Sequence, residues 1–364
     1  MNYRLATIQA RKAISADVTE TIDIDVKDPI SQLVITYECT NGSQAYGDGH
    51  PARCITAIEL LDGSDVLFSL SGVEAQAADF YHNKTEPANI LLYTNGMNSE
   101  QIYNLNFGRF LYDPVLALDP TKFDNPQLKI SIDINAGGSL SAGGYLTVLA
   151  HLFDEKAITP TGFLMHKEVK AFTLANSSHE YTDLPTDHAF RKLFIRAQRY
   201  GTGPEYQIDT AKLSEDTDKR QVFNQSMFQL LRAIASQTRQ YREWIIAPGD
   251  LNEQYYYCTP CYWPAFASAQ WQTAPNAGFL GIYEGDGGRM KVQHVTATCN
   301  WQCHVQGWAP HGVIEIPFGL QEDPADWYDV TKIGNLKLDI LGGSSVGTSQ
   351  TCEVFLQQHR AYGA

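Results

Sequence analysis

The chain has 364 residues, more than one hydrophobic core commonly supports, and its 43% hydrophobic content is enough for two. Charged residues make up only 19%, yet the formal net charge is −14, which repels phosphate backbones and argues against direct, sequence-specific nucleic-acid binding. The opening MNYRLATIQARK lacks the apolar core of a signal peptide, no apolar run nears the ~20 residues of a membrane span, and seven cysteines do not make a fully paired disulfide framework. A chain made and folded in the cytoplasm is expected.

Residues up to Ala16 carry Arg4, Arg11 and Lys12 and no acid. The segment reads first as a solvated basic arm, with contact to anionic lipid or genome as the second reading. A procession of short strands follows. TIDIDV (21–26) and KISIDI (129–134) alternate apolar and polar residues, the period of a strand with one buried face. LVITYE (33–38), CITAIELL (54–61), DVLFSL (65–70), NILLY (89–93), QIYNLNF (101–107) and GYLTVLAHLF (144–153) bring the count to eight. Turn clusters such as LDGSD and TNGMNS separate them, and one helix is expected near 72–81. Eight antiparallel strands with loops of mixed length suit a jelly roll.

The second half repeats this plan. KAFTLA (170–175) echoes KAISAD (12–17), LFIRAQ (193–198) echoes LVITYE, and RQVFNQ (220–225) stands where DVLFSL stood. A helix again follows, with Met227, Leu230, Leu231, Ile234 and Tyr241 at helical spacing, ending at Ala247-Pro248-Gly249-Asp250. The fold class expected is all-β: two tandem eight-stranded antiparallel jelly rolls, each with a helix inserted after the fourth strand. The units are placed at 1–156 and 163–364, joined by a linker at 157–162 that holds Pro160 and Gly162. An aromatic-rich insertion at about 250–311, with Tyr255-Tyr256-Tyr257, Trp263, Trp271, Phe279, Trp301 and Trp308, reads as a small accessory core or a contact surface.

The duplication is also written in residues. Asp113-Pro114, Asp119 and Thr121-Lys122 recur as Asp323-Pro324, Asp329 and Thr331-Lys332, all at one offset, 323 − 113 = 210. Phe107-Gly108 and Phe318-Gly319 differ by 211, and Leu128-Lys129 and Leu336-Lys337 by 208, as small loop insertions would leave them. Solenoid repeats are far shorter, so a doubled domain is the reading.

Chemistry is sparse. The chain has no His-x-His pair, no His-Glu-x-x-His, no Gly-x-Ser-x-Gly and no Walker loop. Cys258-Thr-Pro-Cys261 has a zinc-knuckle gap, and Cys299 and Cys303 follow with His304 beside them. Positions four apart on one strand stand ~13 Å apart, however, too far to clasp one ion without a turn, so buried free thiols are favoured. Glu322, Asp323, Asp326 and Asp329 form an oxygen-rich loop that suits Ca²⁺ by composition but lacks EF-hand spacing, and a solvated acidic loop is favoured. No residue is nominated as catalytic, cofactor-binding or metal-binding, and no cofactor is expected.

The segments FGRFLYDP, LDPTKFDNPQLKI, YLTVLAHLFDEK, IPFG, DPADWYDVTKIGNLKL and CEVFLQQHRAY resemble the major capsid proteins of tailless icosahedral viruses. The likeness runs to those of small lipid-containing bacteriophages, in the lineage that includes adenovirus hexon, and is strongest at 107–156 and 316–362. The resemblance implies two upright jelly rolls per subunit and a homotrimer whose six jelly rolls form a pseudo-hexameric capsomer. It implies partners in neighbouring capsomers and in minor capsid or penton proteins, assembly in the host cytoplasm and a place in the virion shell. An internal membrane under that shell would make Arg4, Arg11 and Lys12 candidate lipid contacts. Two other readings stand beside it: a carbohydrate-binding or spike protein whose aromatic insertion stacks on sugars, and a paired-jelly-roll amidase acting on glycans.

Overall fold

The structure, a computed structural model, describes residues 2–42, 49–137, 143–248, 252–270, 280–294, 300–347 and 350–363. Alternation decides most of it: in Ile30–Thr40 every second residue is buried, as a strand with one face on a core requires. In the first half, β1 (Tyr3–Ile14), β2 (Val18–Asp23), β3 (Ile30–Thr40), β4 (Ile55–Asp62) and β5 (Asp65–Leu70) lead into helix α1 (Gly72–Asn83). A two-residue β6 (Leu91–Leu92) follows, then β7 (Asn98–Asn106), β8 (Pro126–Ile132) and β9 (Gly144–Phe153). They pair as β1-β9-β3-β7 and β2-β8-β4-β5, two four-stranded sheets that bury Leu33, Ile35, Leu128 and Ile130 in one core. This is the strand order of a jelly roll.

The second half begins with β10 (Gly162–Thr173), β11 (His179–Asp183), β12 (Ala189–Ala197) and a short α2 (Pro204–Gln207). β13 (Ile208–Glu215), β14 (Arg220–Ser226) and α3 (Met227–Gln237) come next. Six strands of insertion follow: β15 (Tyr241–Pro248), β16 (Gln254–Tyr257), β17 (Pro260–Gln270), β18 (Leu280–Asp286), β19 (Arg289–His294) and β20 (Asn300–Pro310). β21 (Val313–Pro317), β22 (Leu336–Gly342) and β23 (Thr351–Ala361) close the chain. The orders β10-β23-β12-β21 and β11-β22-β13-β14 repeat the first half position by position.

The two jelly rolls share a sheet. β5 runs parallel to β10, with Phe68 opposite His166 and Ser69 opposite Lys167, so four strands of each half form one eight-stranded sheet. A single hydrophobic cluster spans both halves.

Several expectations are corrected in detail. In each half the helix follows the fifth strand, not the fourth: the segment read as a basic arm is strand β1, paired to β9, and in the second half β11 was not read as a strand. NILLY contributes only β6, which pairs with β15 of the insertion rather than with its own jelly roll. Helix α3 stops at Gln237, where Thr238 turns extended (φ −111°, ψ 150°), so Tyr241 lies on a strand and Pro248 does not end a helix. Tyr241, Glu243, Ile245 and Ala247 are buried in alternation, a period the helical reading missed.

The strand register keeps the offset of 210 through β8 and β22. Leu60 pairs with Phe68 and Leu128, Leu213 pairs with Phe223 and Leu338, and a bulge follows at the same place in both. Leu128 therefore corresponds to Leu338 (338 − 128 = 210), and the Leu-Lys likeness at 336–337 is a slip of two that keeps the same face.

The insertion builds sheets β17-β20-β15-β6 and β16-β19-β18 around its own core of Tyr256, Met290, Trp301 and Val305. Trp301 donates Nε1–H to the Pro248 carbonyl at 3.0 Å, and Tyr256 meets its ring edge-on at 4.9 Å. Trp271 and Phe279 lie outside the described residues.

Candidate assembly interface

The element that positions the junction between the jelly rolls is α1. Ser71 caps it by accepting the Glu74 amide at 3.4 Å, while the Glu74 carboxylate takes the Ser71 amide at 2.7 Å. Ser226 and Gln229 build the same box at the start of α3. The two helices differ in cover. Residues Gly72 to His82 are all buried in α1, whereas α3 buries only Met227, Leu231 and Ile234. The cover on α1 is the second jelly roll. Tyr81 donates its hydroxyl to the Val313 carbonyl at 2.8 Å, and Lys192 Nζ donates to the Tyr81 carbonyl at 2.7 Å.

Around these contacts lies a buried polar layer. Arg191 Nη1 donates to His82 Nδ1 at 2.9 Å and to the Gln357 side-chain oxygen at 3.2 Å, and Gln357 Nε2 meets His166 Nε2 at 2.9 Å. Lys192 and Glu315, both nearly inaccessible, pair at 2.6 Å. A second group forms where the insertion meets the first half. His50 reaches Thr259 Oγ1 at 3.2 Å, Glu243 accepts from the Thr259 amide and hydroxyl at 2.6 and 2.8 Å, and His311 Nε2 meets Gln76 Oε1 at 2.9 Å.

Burial sets the protonation of this layer. It holds His50 and His166 down at about 3, with Arg53 adding to the effect on His50 and Arg191 and Lys192 on His166. His82 and His311 are lowered for the same reason. Glu74 is pushed up to about 8, and Glu243 to about 7 against its Thr259 bonds. Asp79 rises to about 6 although Asn83, Asn104 and Asn106 all donate to it. Imidazoles held neutral and carboxyl groups whose charge burial disfavours act as hydrogen-bonding struts in this buried layer.

At the corners the repeated residues perform one task. Asp113 Oδ1 accepts the Val115 amide at 2.9 Å and Asp323 Oδ1 the Ala325 amide at 3.0 Å. Asp119 Oδ1 takes the amide and hydroxyl of Thr121 at 3.0 and 2.6 Å, and Asp329 Oδ1 those of Thr331 at 3.1 and 2.6 Å. These are Asx turns, which pin the loop before β8 and β22. Arg109, clamped on Asp113, donates Nη1 to the Glu322 carbonyl at 2.7 Å and so ties one corner to the other.

The remaining sequence candidates resolve as follows. Arg11 makes two 2.7 Å bonds to Glu38 and lies 3.4 Å over the Tyr145 ring, Lys12 meets Glu20 at 2.6 Å, and Arg4 meets Asp28 at 2.7 Å. Each of the three cations faces a carboxylate. Cys258 and Cys303 sit in the insertion core, while Cys261 is buried against Gln198 and the Thr259 carbonyl, each at 3.5 Å. Burial pushes the Cys261 and Cys303 thiols up to about 12. Cys299 lies outside the described residues. In the 322–329 loop Asp323, Asp326 and Asp329 are engaged by backbone amides, Asp326 accepting from Leu320 at 2.6 Å. Among the described residues no group of three His, Cys, Asp or Glu is placed to hold a metal ion.

The interface residues themselves were not legible. His82 and Gln357 are 275 positions apart, and neither stands in a motif. The signal available was indirect: charged or amide residues, such as Arg191 and Lys192 of AFRKLFIRA, written into an otherwise apolar strand.

No family model and no curated protein matches the chain. Solved structures do. The STIV major capsid protein matches with a TM-score of 0.60 and 12% identity over 99% of this chain and 97% of its own. The major capsid protein of bacteriophage PM2 gives 0.55 and 10% over 99% and 98%. The PBCV-1 capsid protein, as fitted into a reconstruction of the virophage Sputnik, gives 0.57 and 11% over 98% and 94%. At such identities the likeness is one of fold, and it fixes that fold as a double jelly roll running from one end of the chain to the other.

Proposed function

We propose that the chain is the major capsid protein of an icosahedral virion, a structural protein rather than an enzyme. Three copies would form a pseudo-hexameric capsomer, because a doubled domain in a threefold ring presents six similar units and closes by cyclic symmetry. The observation that carries this reading is the match of the whole chain to nearly whole capsid proteins of STIV and PM2, at 97% and 98% of their length. The internal chemistry agrees with it. The polar layer is sealed and the corner aspartates are spent on turns. The structural neighbours lend nothing to the sugar-binding or amidase readings.

The same reading divides the chain into units 1–156 and 163–364, gives it neighbouring capsomers and minor capsid proteins as partners, and places its assembly in the host cytoplasm. Contact with a viral membrane through Arg4, Arg11 and Lys12 belongs to the same reading, and each of these half-exposed cations also pairs with an acid of its own chain. Solution mass tests the proposal: light scattering on the purified protein is expected to give three times 40.6 kDa. A lone monomer at micromolar concentration overturns it.

A further inference from the structure

The two halves share a topology but not an environment, and the difference falls on one face. In the second jelly roll, His166, Gln357 and Lys192 form one row across β10, β23 and β12. The corresponding row in the first is Leu5, His151 and Gln32 across β1, β9 and β3. Both rows point away from their own core. His166 is 3% exposed because β5 and α1 of the first half cover it, whereas Leu5 is 55% exposed. Beside Leu5 lies an open groove of ≈ 490 Å³ lined by Gln32, Val34, Ile102, Asn104, His151 and Glu86.

The covering elements have uncovered counterparts too. The shared cap sequence aligns Ser71 with Ser226, which sets β5 on β14 and α1 on α3 at an offset of 226 − 71 = 155. Val73 of α1 is 6% exposed, while Phe228 at its place in α3 is 48% exposed. Trp263, 61% exposed, lies beside it, with the Arg232 guanidinium 5.1 Å from one ring and 5.2 Å from the other. Among the described residues β14 and β1 are both edge strands with a free side, as β5 and β10 would be without each other.

We propose that the outer face of the first jelly roll receives the second jelly roll of another copy of this chain, in the way the second jelly roll receives the first within one chain. β14 lies parallel to β1 with Phe223 and Asn224 alongside Leu5 and Ala6, as Phe68 and Ser69 lie alongside His166 and Lys167. Helix α3 then seats over β3 and β7, burying Phe228 and bringing the cationic Arg232 to a groove that carries Glu86. The inference rests on the capsomer reading and adds to it which surfaces meet and in what register. Applied three times, the contact closes a ring in which every sheet edge of this kind is paired.

Cysteine pairs test the register. The six cysteines among the described residues are all buried, so a surface pair should stand out. The full-length L5C/F223C variant treated with a short bis-maleimide is expected to give a covalent species of three chains on a denaturing gel, and neither single variant is. Phe228→Asp is expected to weaken self-association about tenfold or more while leaving the circular dichroism spectrum unchanged. Tyr181→Asp, on the far edge strand β11, is expected to leave association as it is. A solution trimer that neither cross-links in L5C/F223C nor weakens in F228D overturns this docking while the capsomer reading stands. A chain that is monomeric throughout removes both.

Discussion

Arg191 Nη1 lies 2.9 Å from His82 Nδ1, a bond that joins a strand of the second jelly roll to the buried helix of the first. It requires His82 to accept at Nδ1, and therefore to be neutral. The junction thus sets a charged Arg191 against imidazoles whose charge burial suppresses, and its strength is tied to pH.

The sign follows from the two sets of shifts. His50 and His166 are held at about 3, below the ordinary ~6.5 of an unfolded chain, so the unfolded state binds more protons between those values. Their stabilisation is lost as pH falls from about 6.5 toward 3. Glu74 and Glu243, raised to about 8 and 7, act the other way, and theirs is lost as pH rises from the ordinary ~4.5 through those values. Stability should decline on both the acid and the alkaline side. His166→Gln keeps an acceptor for Gln357 but does not titrate, and should flatten the acid limb by about one proton, ~1.4 kcal/mol per pH unit. Urea melts between about pH 6 and 4 measure this; an unchanged slope in H166Q counts against it.

Lys192→Met should destabilise by about 3–5 kcal/mol, because it leaves Glu315 buried without a counter-charge and the Tyr81 carbonyl without its donor. The double variant K192M/E315L should recover most of that loss. Denaturant unfolding of the two variants decides it: equal losses would mean the pair is not the cause.

Gly319 has a left-handed backbone (φ +65°), and a Cβ there would stand 2.0 Å from the Asp326 carbonyl oxygen. Gly319→Ala should therefore cost more than the ~1 kcal/mol of an ordinary glycine replacement and loosen the 319–326 loop. Proteolysis confined to that loop, with a lowered melting temperature, is the expected result; a wild-type melt would refute the steric argument.

Dialysis against a metal chelator should leave the melting temperature unchanged, since Cys258 and Cys303 pack among apolar residues and no group of three ligands is placed to hold an ion among the described residues. A chelator-induced drop, with zinc recovered near one per chain, would restore the knuckle reading.

How much of this was readable in advance depended on locality. The alternation of ISQLVITYECT and the Asx turns at Asp113, Asp119, Asp323 and Asp329 are properties of adjacent residues, so the strands and the duplication were legible. β1 was not, because YRLATIQARKAI exposes residues on both faces and carries no apolar stripe; a strand with an uncovered edge has nothing to alternate against. The polar layer was hidden for the opposite reason. His82, Arg191 and Gln357 acquire their meaning only from one another, across distances in sequence that no periodicity bridges. The end of helix α3 was misplaced because Ile234 and Tyr241 are seven apart, a spacing a helix and a turn into a strand both satisfy.

The parallel contact of β5 with β10 has a mechanical meaning. Backbone hydrogen bonds cross from one unit to the other, and a single apolar interior continues beneath them, so the segment 154–161 is no hinge. A tug on either unit is transmitted as shear through the whole ribbon. The chain should melt in one step and flex as a plate rather than as two units on a joint.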